Sequence, residues 1–177
     1  DVMSVEQGFC HVKRAFDELV RITGEAPTCS ASPGWRCTEQ LLKCKETLPF
    51  RYNSDCRGNS IFMPVVDGVV LSQPQIPLNL PTYDEVYGRE GITNDNYNDR
   101  LLDLFVPDGL NMLTIHAEVE GRICAAMFDE FLSKAKARGI EFCAPGDLLP
   151  ENRNAIPRGQ LVQGEIPGRE GVLALQG

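Results

Sequence analysis

The chain has 177 residues, 42% of them hydrophobic and 24% charged, with a net charge of -8. That length suits one domain able to bury a real core, and the composition is that of a globular protein in water. The acidic balance argues against a phosphate-backbone binder and against adsorption to anionic lipid by charge alone, and no apolar run approaches the roughly 20 residues that span a bilayer.

The opening stretch, DVMSVEQGF, is acidic and polar and does not read as a signal peptide. Val5, Phe9, Val12, Phe16 and Leu19 then recur every three or four positions, the stripe of a helix that Gly24 and Pro27 stop. Residues 28–32 read as a short strand running into the turn Pro33-Gly34. Thr38 can cap a helix carrying Leu41, Leu42, Lys45 and Leu48, which Pro49 closes. Residues 50–56, FRYNSDC, alternate as a strand should. Residues 61–80 are extended but too interrupted by proline for a central strand.

A short helix is expected over 82–88, and Thr93 can cap another carrying Tyr97, Leu101, Leu104 and Phe105. Residues 111–116 read as a buried strand. Ile123, Met127, Phe131 and Ala135 form the stripe of a helix ending at Gly139, with a last strand at 140–143. The chain from Pro150 onward is rich in Pro, Gly and Arg and reads as irregular. This alternation implies an α/β fold with a parallel sheet and helices outside it, either open and doubly wound or closed as a barrel. Residues 1–149 would form its body, and 150–177 an irregular tail of the same domain. No glycine-rich phosphate loop follows any of these strands.

The seven cysteines, at 10, 29, 37, 44, 56, 124 and 143, are odd in number and include no CxxC pair. They read as reduced, mostly buried small hydrophobes. Polar residues follow three of the expected strands. Trp35 and Arg36 follow 28–32, Asp55 and Arg57 end 50–56, and His116 and Glu118 end 111–116. In parallel α/β folds the carboxyl ends of strands collect reacting groups.

His116 suits a general acid or base near neutral pH, although a histidine beside Met112, Leu113 and Ile115 can equally be a satisfied core residue. Asp55 can orient a histidine or cap a turn. Arg36 can grip a carboxylate or stack on Trp35. His11 reads as an exposed helix residue, and Glu118 and Glu120 as solvated charge. With two histidines in all, no metal site assembles on a familiar spacing.

Five segments carry a resemblance: FRYNSDCRG (50–58), TIHAEVEG (114–121), QIPLNLPTYDEV (75–86), PGREG (167–171) and CSASPGWR (29–36). Together, and in order along essentially the whole chain, they resemble the bacterial 4-deoxy-4-formamido-L-arabinose-phosphoundecaprenol deformylases of the polysaccharide deacetylase superfamily. The resemblance implies a distorted (β/α)7 barrel that removes a formyl group from a lipid-linked aminoarabinose. A divalent metal (zinc, manganese or cobalt) would activate the water. It implies a role in lipid A modification and polymyxin resistance, and a cytoplasmic site at the inner face of the inner membrane.

By the same resemblance His116 matches the general acid, Asp55 the acid that supports it, and Arg36 the arginine that braces the catalytic aspartate. Trp35, Tyr52, Asn53, Arg57 and Glu118 become candidate contacts to the sugar phosphate. Thr114 and Ala117 depart from the superfamily's Leu and Pro around the histidine, and Val172 stands where relatives tend to have Trp. The family's Asp-x-Asp strand and histidine-rich metal motif match nothing here, and a barrel of this kind usually needs roughly 250 residues. The chain is therefore expected to be a partial barrel lacking the N-terminal βα units, with the metal ligands outside it and the missing segment as a partner. A non-catalytic truncated or split fragment is the competing reading. A hydrolase built on a cysteine such as Cys56 is a third.

Overall fold

The first stripe folds as its periodicity predicts. In the computed structural model, which describes residues 3–177, helix α1 spans Val5–Thr23. Asp1 and Val2, the head of the acidic opening stretch, lie outside the described residues. Ser4 caps α1 reciprocally: its hydroxyl accepts from the Gln7 amide at 3.2 Å, and the Gln7 side chain accepts from the Ser4 amide at 2.9 Å. Gly24 ends it in the left-handed region at φ 78°. The stripe is only half covered, since α1 buries no residue fully. Phe16 meets Phe50 edge-on at 5.8 Å. Thr38 caps α2 (Glu39–Lys45) by accepting from the Leu41 amide.

The strands are short. β1 (Cys29–Ser30) pairs in parallel with β2 (Tyr52–Asn53). β3 (Met63–Val66) pairs antiparallel with β4 (Val69–Val70) and parallel with β5 (Arg158–Gly159). β6 (Leu161–Gly164) and β7 (Leu173–Gln176) form an antiparallel pair. Among the described residues these make three small sheets and no closed barrel. The α/β class stands as a mixture of helices and strands, with two of the four pairings parallel.

Three expectations are corrected. Residues 111–116 and 140–143 form no strand. At 112 the backbone spends its bonds elsewhere: the Met112 amide donates to the Asn79 side chain, and its carbonyl accepts from Leu80 N. A side chain occupies the place of a ladder partner. Residues 61–80 contain a hairpin, because Asp67 (φ 50°) and Gly68 (φ 77°) supply the two positive-φ positions of a type I′ turn. Residues 150–177 are not irregular, for they contribute β5, β6 and β7.

The helices bury the second core. α3 (Tyr83–Val86) carries a capping box between Thr82 and Glu85. α4 (Tyr97–Leu102) starts after Asn96, three residues later than a Thr93 cap would place it. α5 (Ala125–Ala137) follows a π-helical turn at Val119–Ile123. Phe131 and Ala135 join Leu80, Tyr97, Leu101 and Leu102 in one cluster with Met127 against it, whereas Ile123 is 81% exposed and outside the stripe. A separate cluster joins α2, the β3 hairpin and the β6–β7 pair through Leu42, Phe62, Val66, Leu161 and Ala174.

Candidate active site

The site grows from a strained turn. Pro33–Trp35 makes one 3₁₀ turn in which Gly34 (φ 60°) and Trp35 (φ 56°) are both left-handed. For a bulky side chain that conformation costs about 1–3 kcal/mol and persists only where the surroundings impose it. Here two guanidinium groups lie over the indole, which is 5% exposed, Arg57 at 4.8 Å and Arg169 at 4.9 Å from the ring centroid. Leu78 and Leu173 complete its apolar setting.

Both arginines converge on Glu85, which is 3% exposed. Arg57 Nη1 donates to both carboxylate oxygens, at 3.2 and 3.0 Å, and Nη2 donates to the Leu80 carbonyl at 3.0 Å. Arg169 Nε donates to Glu85 Oε1 at 3.1 Å, and its Nη1 lies 3.2 Å from Asp84 Oδ2. Thr82 ties the acids together: its amide donates to Glu85 and its hydroxyl to Asp84. Two cations thus face two carboxylates beside one indole, and the desolvated Glu85 carboxylate is paired with both. Gly168 makes the approach of Arg169 possible. It sits at φ 86°, and a Cβ there would fall inside contact distance of the Glu85 carbonyl oxygen.

His116 is half-buried. Its amide donates to Glu120 Oε2 at 2.7 Å, and its carbonyl accepts from the amides of Val119 and Glu120. The backbone is therefore pinned, while the imidazole makes no hydrogen bond among the described residues. The carboxylate that senses it is Asp84. Burial pushes the Asp84 carboxyl up, but the Thr82 hydroxyl, the Arg169 charge, its own backbone amide and the His116 charge together hold it below its ordinary value. Beside this cluster opens a cleft of about 370 Å³ lined by Arg57, Asn79, Glu85, Ile166, Leu175 and Gln176, among others.

The other expected residues disperse. Asp55 is fully buried, and its carboxylate accepts from Lys45 Nζ at 2.6 Å, Ser32 Oγ at 2.8 Å and Gln75 Nε2 at 3.1 Å. It makes no hydrogen bond with His116. This departs from the expectation that Asp55 steadies that histidine, and the reason is that its oxygens are committed to the core. Arg36 is exposed and donates to the Glu170 carbonyl at 3.2 Å, not to an aspartate. Asn53 is buried and bonded to Ser30 and Gln73. Tyr52 packs against Gly146, and burial, then the Cys29 thiol, push its phenol up to about 12. Glu118 is exposed at the head of the π-helical turn. Of the expected set, only Trp35 and Arg57 touch.

All seven cysteines are free. Burial pushes the Cys56 thiol up, with the Asp55 charge adding to it, and burial raises Cys37 to about 12. Burial of this kind disfavours the thiolate that a cysteine hydrolase would need at Cys56. Among the described residues no three His, Cys, Asp or Glu side chains gather as metal ligands. These residues do not fit the divalent metal that the resemblance implies. No helix among them is long and apolar enough to cross a membrane.

Asp84, Glu85 and Arg169 lie inside TYDEV and PGREG, where no local pattern signals that residues so far apart in the chain will pair.

No family model matches the chain. Over 176 residues, 99% of this chain and 56% of the other, it is 44% identical to a protein of Shewanella sediminis named probable 4-deoxy-4-formamido-L-arabinose-phosphoundecaprenol deformylase ArnD. Over 168 residues, 94% of this chain and 58% of the other, it is 39% identical to a protein of the same name from Wigglesworthia glossinidia brevipalpis. The resemblance read from the five segments is thus a homology along nearly the whole chain. The chain spans somewhat over half the length of these curated relatives.

Proposed function

From a chain homologous to these deformylases almost end to end, we propose that it carries the leaving-group side of a carbohydrate N-deformylase. The substrate is the undecaprenyl-phosphate-linked 4-deoxy-4-formamido-L-arabinose that the relatives' names describe, in lipid A modification and polymyxin resistance, at the cytoplasmic face of the inner membrane. The homology at 44% identity is the observation that carries this reading.

Hydrolysis of a formamide stalls unless the departing amine receives a proton. His116 supplies it. Its backbone is held by Glu120 while its imidazole is free to meet a substrate, and it lies near enough to Asp84 for the two groups to interact electrostatically. The cleft beside Arg57 and Glu85 receives the sugar phosphate, with Arg57 as the cation and Asn79 and Gln176 as neutral hydrogen-bonding groups. Trp35 keeps Arg57 in place.

A second reading draws on the 56% and 58% coverage: the chain needs a further segment to turn over substrate. Release of formate from the lipid-linked formamido sugar tests both. In the intact protein His116→Ala is expected to lower turnover by about 10²–10⁴-fold, with little change in melting temperature because the imidazole has no bond to lose. Unchanged turnover would remove His116 from the chemistry. Activity that appears only when a further segment is supplied selects the second reading.

A further inference from the structure

Under the His116 loop three buried oxygens want partners. Tyr97, Asn98 and Glu120 are 4%, 3% and 3% exposed. Tyr97 Oη, Asn98 Oδ1 and Glu120 Oε1 have no hydrogen-bond partner among the described residues. Buried polar atoms are rarely left so, since each orphan costs free energy that a partner would recover. All three residues line one small cavity of about 10 Å³, whose remaining walls are Leu101, Leu113 and other apolar side chains.

The size and the chemistry agree on an occupant. A volume of about 10–15 Å³ holds one water, and a buried water needs two to four polar partners. Asn98 cannot flip to satisfy itself. Its Nδ2 donates to the Met127 carbonyl at 2.8 Å and reaches toward Glu130 Oε2 at 3.4 Å, which fixes Oδ1 on the cavity side. The cavity thus presents two acceptors and one hydroxyl. We propose that it is a binding site for a single water molecule, which accepts from Tyr97 Oη and donates to Asn98 Oδ1 and Glu120 Oε1. One water's two hydrogens and one lone pair close that arrangement without remainder. A bare cation closes it less well, because the tyrosine proton would then be left facing an apolar wall.

The site has a consequence for the loop. Glu120 Oε2 holds the His116 amide at 2.7 Å. A water on Oε1 fixes the same carboxylate from its other side and so ties α4 and the π-helical turn to the histidine backbone. Glu120 becomes a positioning residue, acting on His116 through the main chain; that part rests on the deformylase reading, while the water site does not.

A high-resolution crystal structure of the wild-type protein tests the water site directly. Support is a single spherical peak within hydrogen-bond distance of all three oxygens. An empty cavity with Tyr97 Oη bonded directly to Glu120 overturns it, as does a peak with the short, many-liganded contacts of a cation. Tyr97→Phe is the second arm. It should lower the melting temperature by roughly 2–4 °C and weaken or erase the water's magnetisation transfer to neighbouring amides. Unchanged transfer would count against the tyrosine as donor. In a deformylation assay Glu120→Gln, which keeps an acceptor for His116 N, should retain activity better than Glu120→Ala. Equal activity of the two removes the positioning role and leaves the water site standing.

Discussion

Asp55 and Lys45 are withdrawn from water almost completely, their side chains 0% and 1% exposed with Nζ and Oδ1 2.6 Å apart. Such a pair recovers its desolvation cost only while both partners are present. Asp55→Ala should therefore cost about 3–5 kcal/mol, because it strands a buried ammonium, whereas Lys45→Met combined with Asp55→Leu should cost far less than the two single changes added together. Urea denaturation of the wild type, Asp55→Ala, the two single changes and the double variant measures this. Additive losses would show that the pair is not coupled. Asp84 acts in the opposite, exposed setting. Its folded pKa lies below its ordinary value of 3.8, so the stability it contributes is complete above that value and lost as pH falls through the folded pKa. Asp84→Asn should lower neutral-pH stability slightly and flatten the acid limb of a stability–pH curve by the same small amount, since its side chain is half exposed. A curve that keeps its acid limb would rule Asp84 out as the source. Sequence pointed to Asp55 because it ends a strand-like run. Which way a residue faces at the end of a strand of two residues is set by tertiary packing, and no local pattern carries that.

At the scale of elements, what was legible had a period or a cap. The α1 stripe, the Thr38 cap and the stop at Gly139 each follow from local chemistry and appear where expected. The tail is hard to read because glycine, proline and arginine at its turns break up two short segments, LVQG and LALQ, that pair with each other, while the second also bridges Arg57 far back in the chain. The segment 111–116 failed for the converse reason, being apolar enough for a strand but offered Asn79 in place of an edge. Gly168 is where the tail is fastened. Gly168→Ala should cost about 1–3 kcal/mol from the left-handed backbone alone, and the added methyl should push Arg169 off Glu85. The chain has a single tryptophan, and Arg169 covers its ring, so the emission of Trp35 should shift to the red. An unchanged spectrum together with an unchanged melting temperature would mean that the tail is held by other contacts.

At the scale of the molecule, the buried apolar side chains of the described residues fall into three clusters, not one continuous barrel interior. The cysteines sample that division. Cys37 and Cys56 lie in the cluster between α2 and the β6–β7 pair, Cys124 is buried ahead of α5, and Cys10, Cys29 and Cys143 are exposed. Thiol reactivity requires both access and the thiolate. The buried pair lacks both, because burial raises each thiol in addition to shielding it. A colorimetric thiol reagent at neutral pH should therefore label Cys10, Cys29 and Cys143 quickly, while Cys37, Cys56 and Cys124 react only as the structure opens. Mapping the labelled positions by mass spectrometry gives the test residue by residue. If the chain folds as one cooperative unit, Cys56 and Cys124 should become reactive over the same range of denaturant, although they belong to different parts of the core. If Cys124 labels well before Cys56, the helical part opens on its own, and His116 rides on the less stable part. Rapid labelling of Cys56 in the native protein would contradict the burial described here and would reopen the cysteine nucleophile as a chemical possibility.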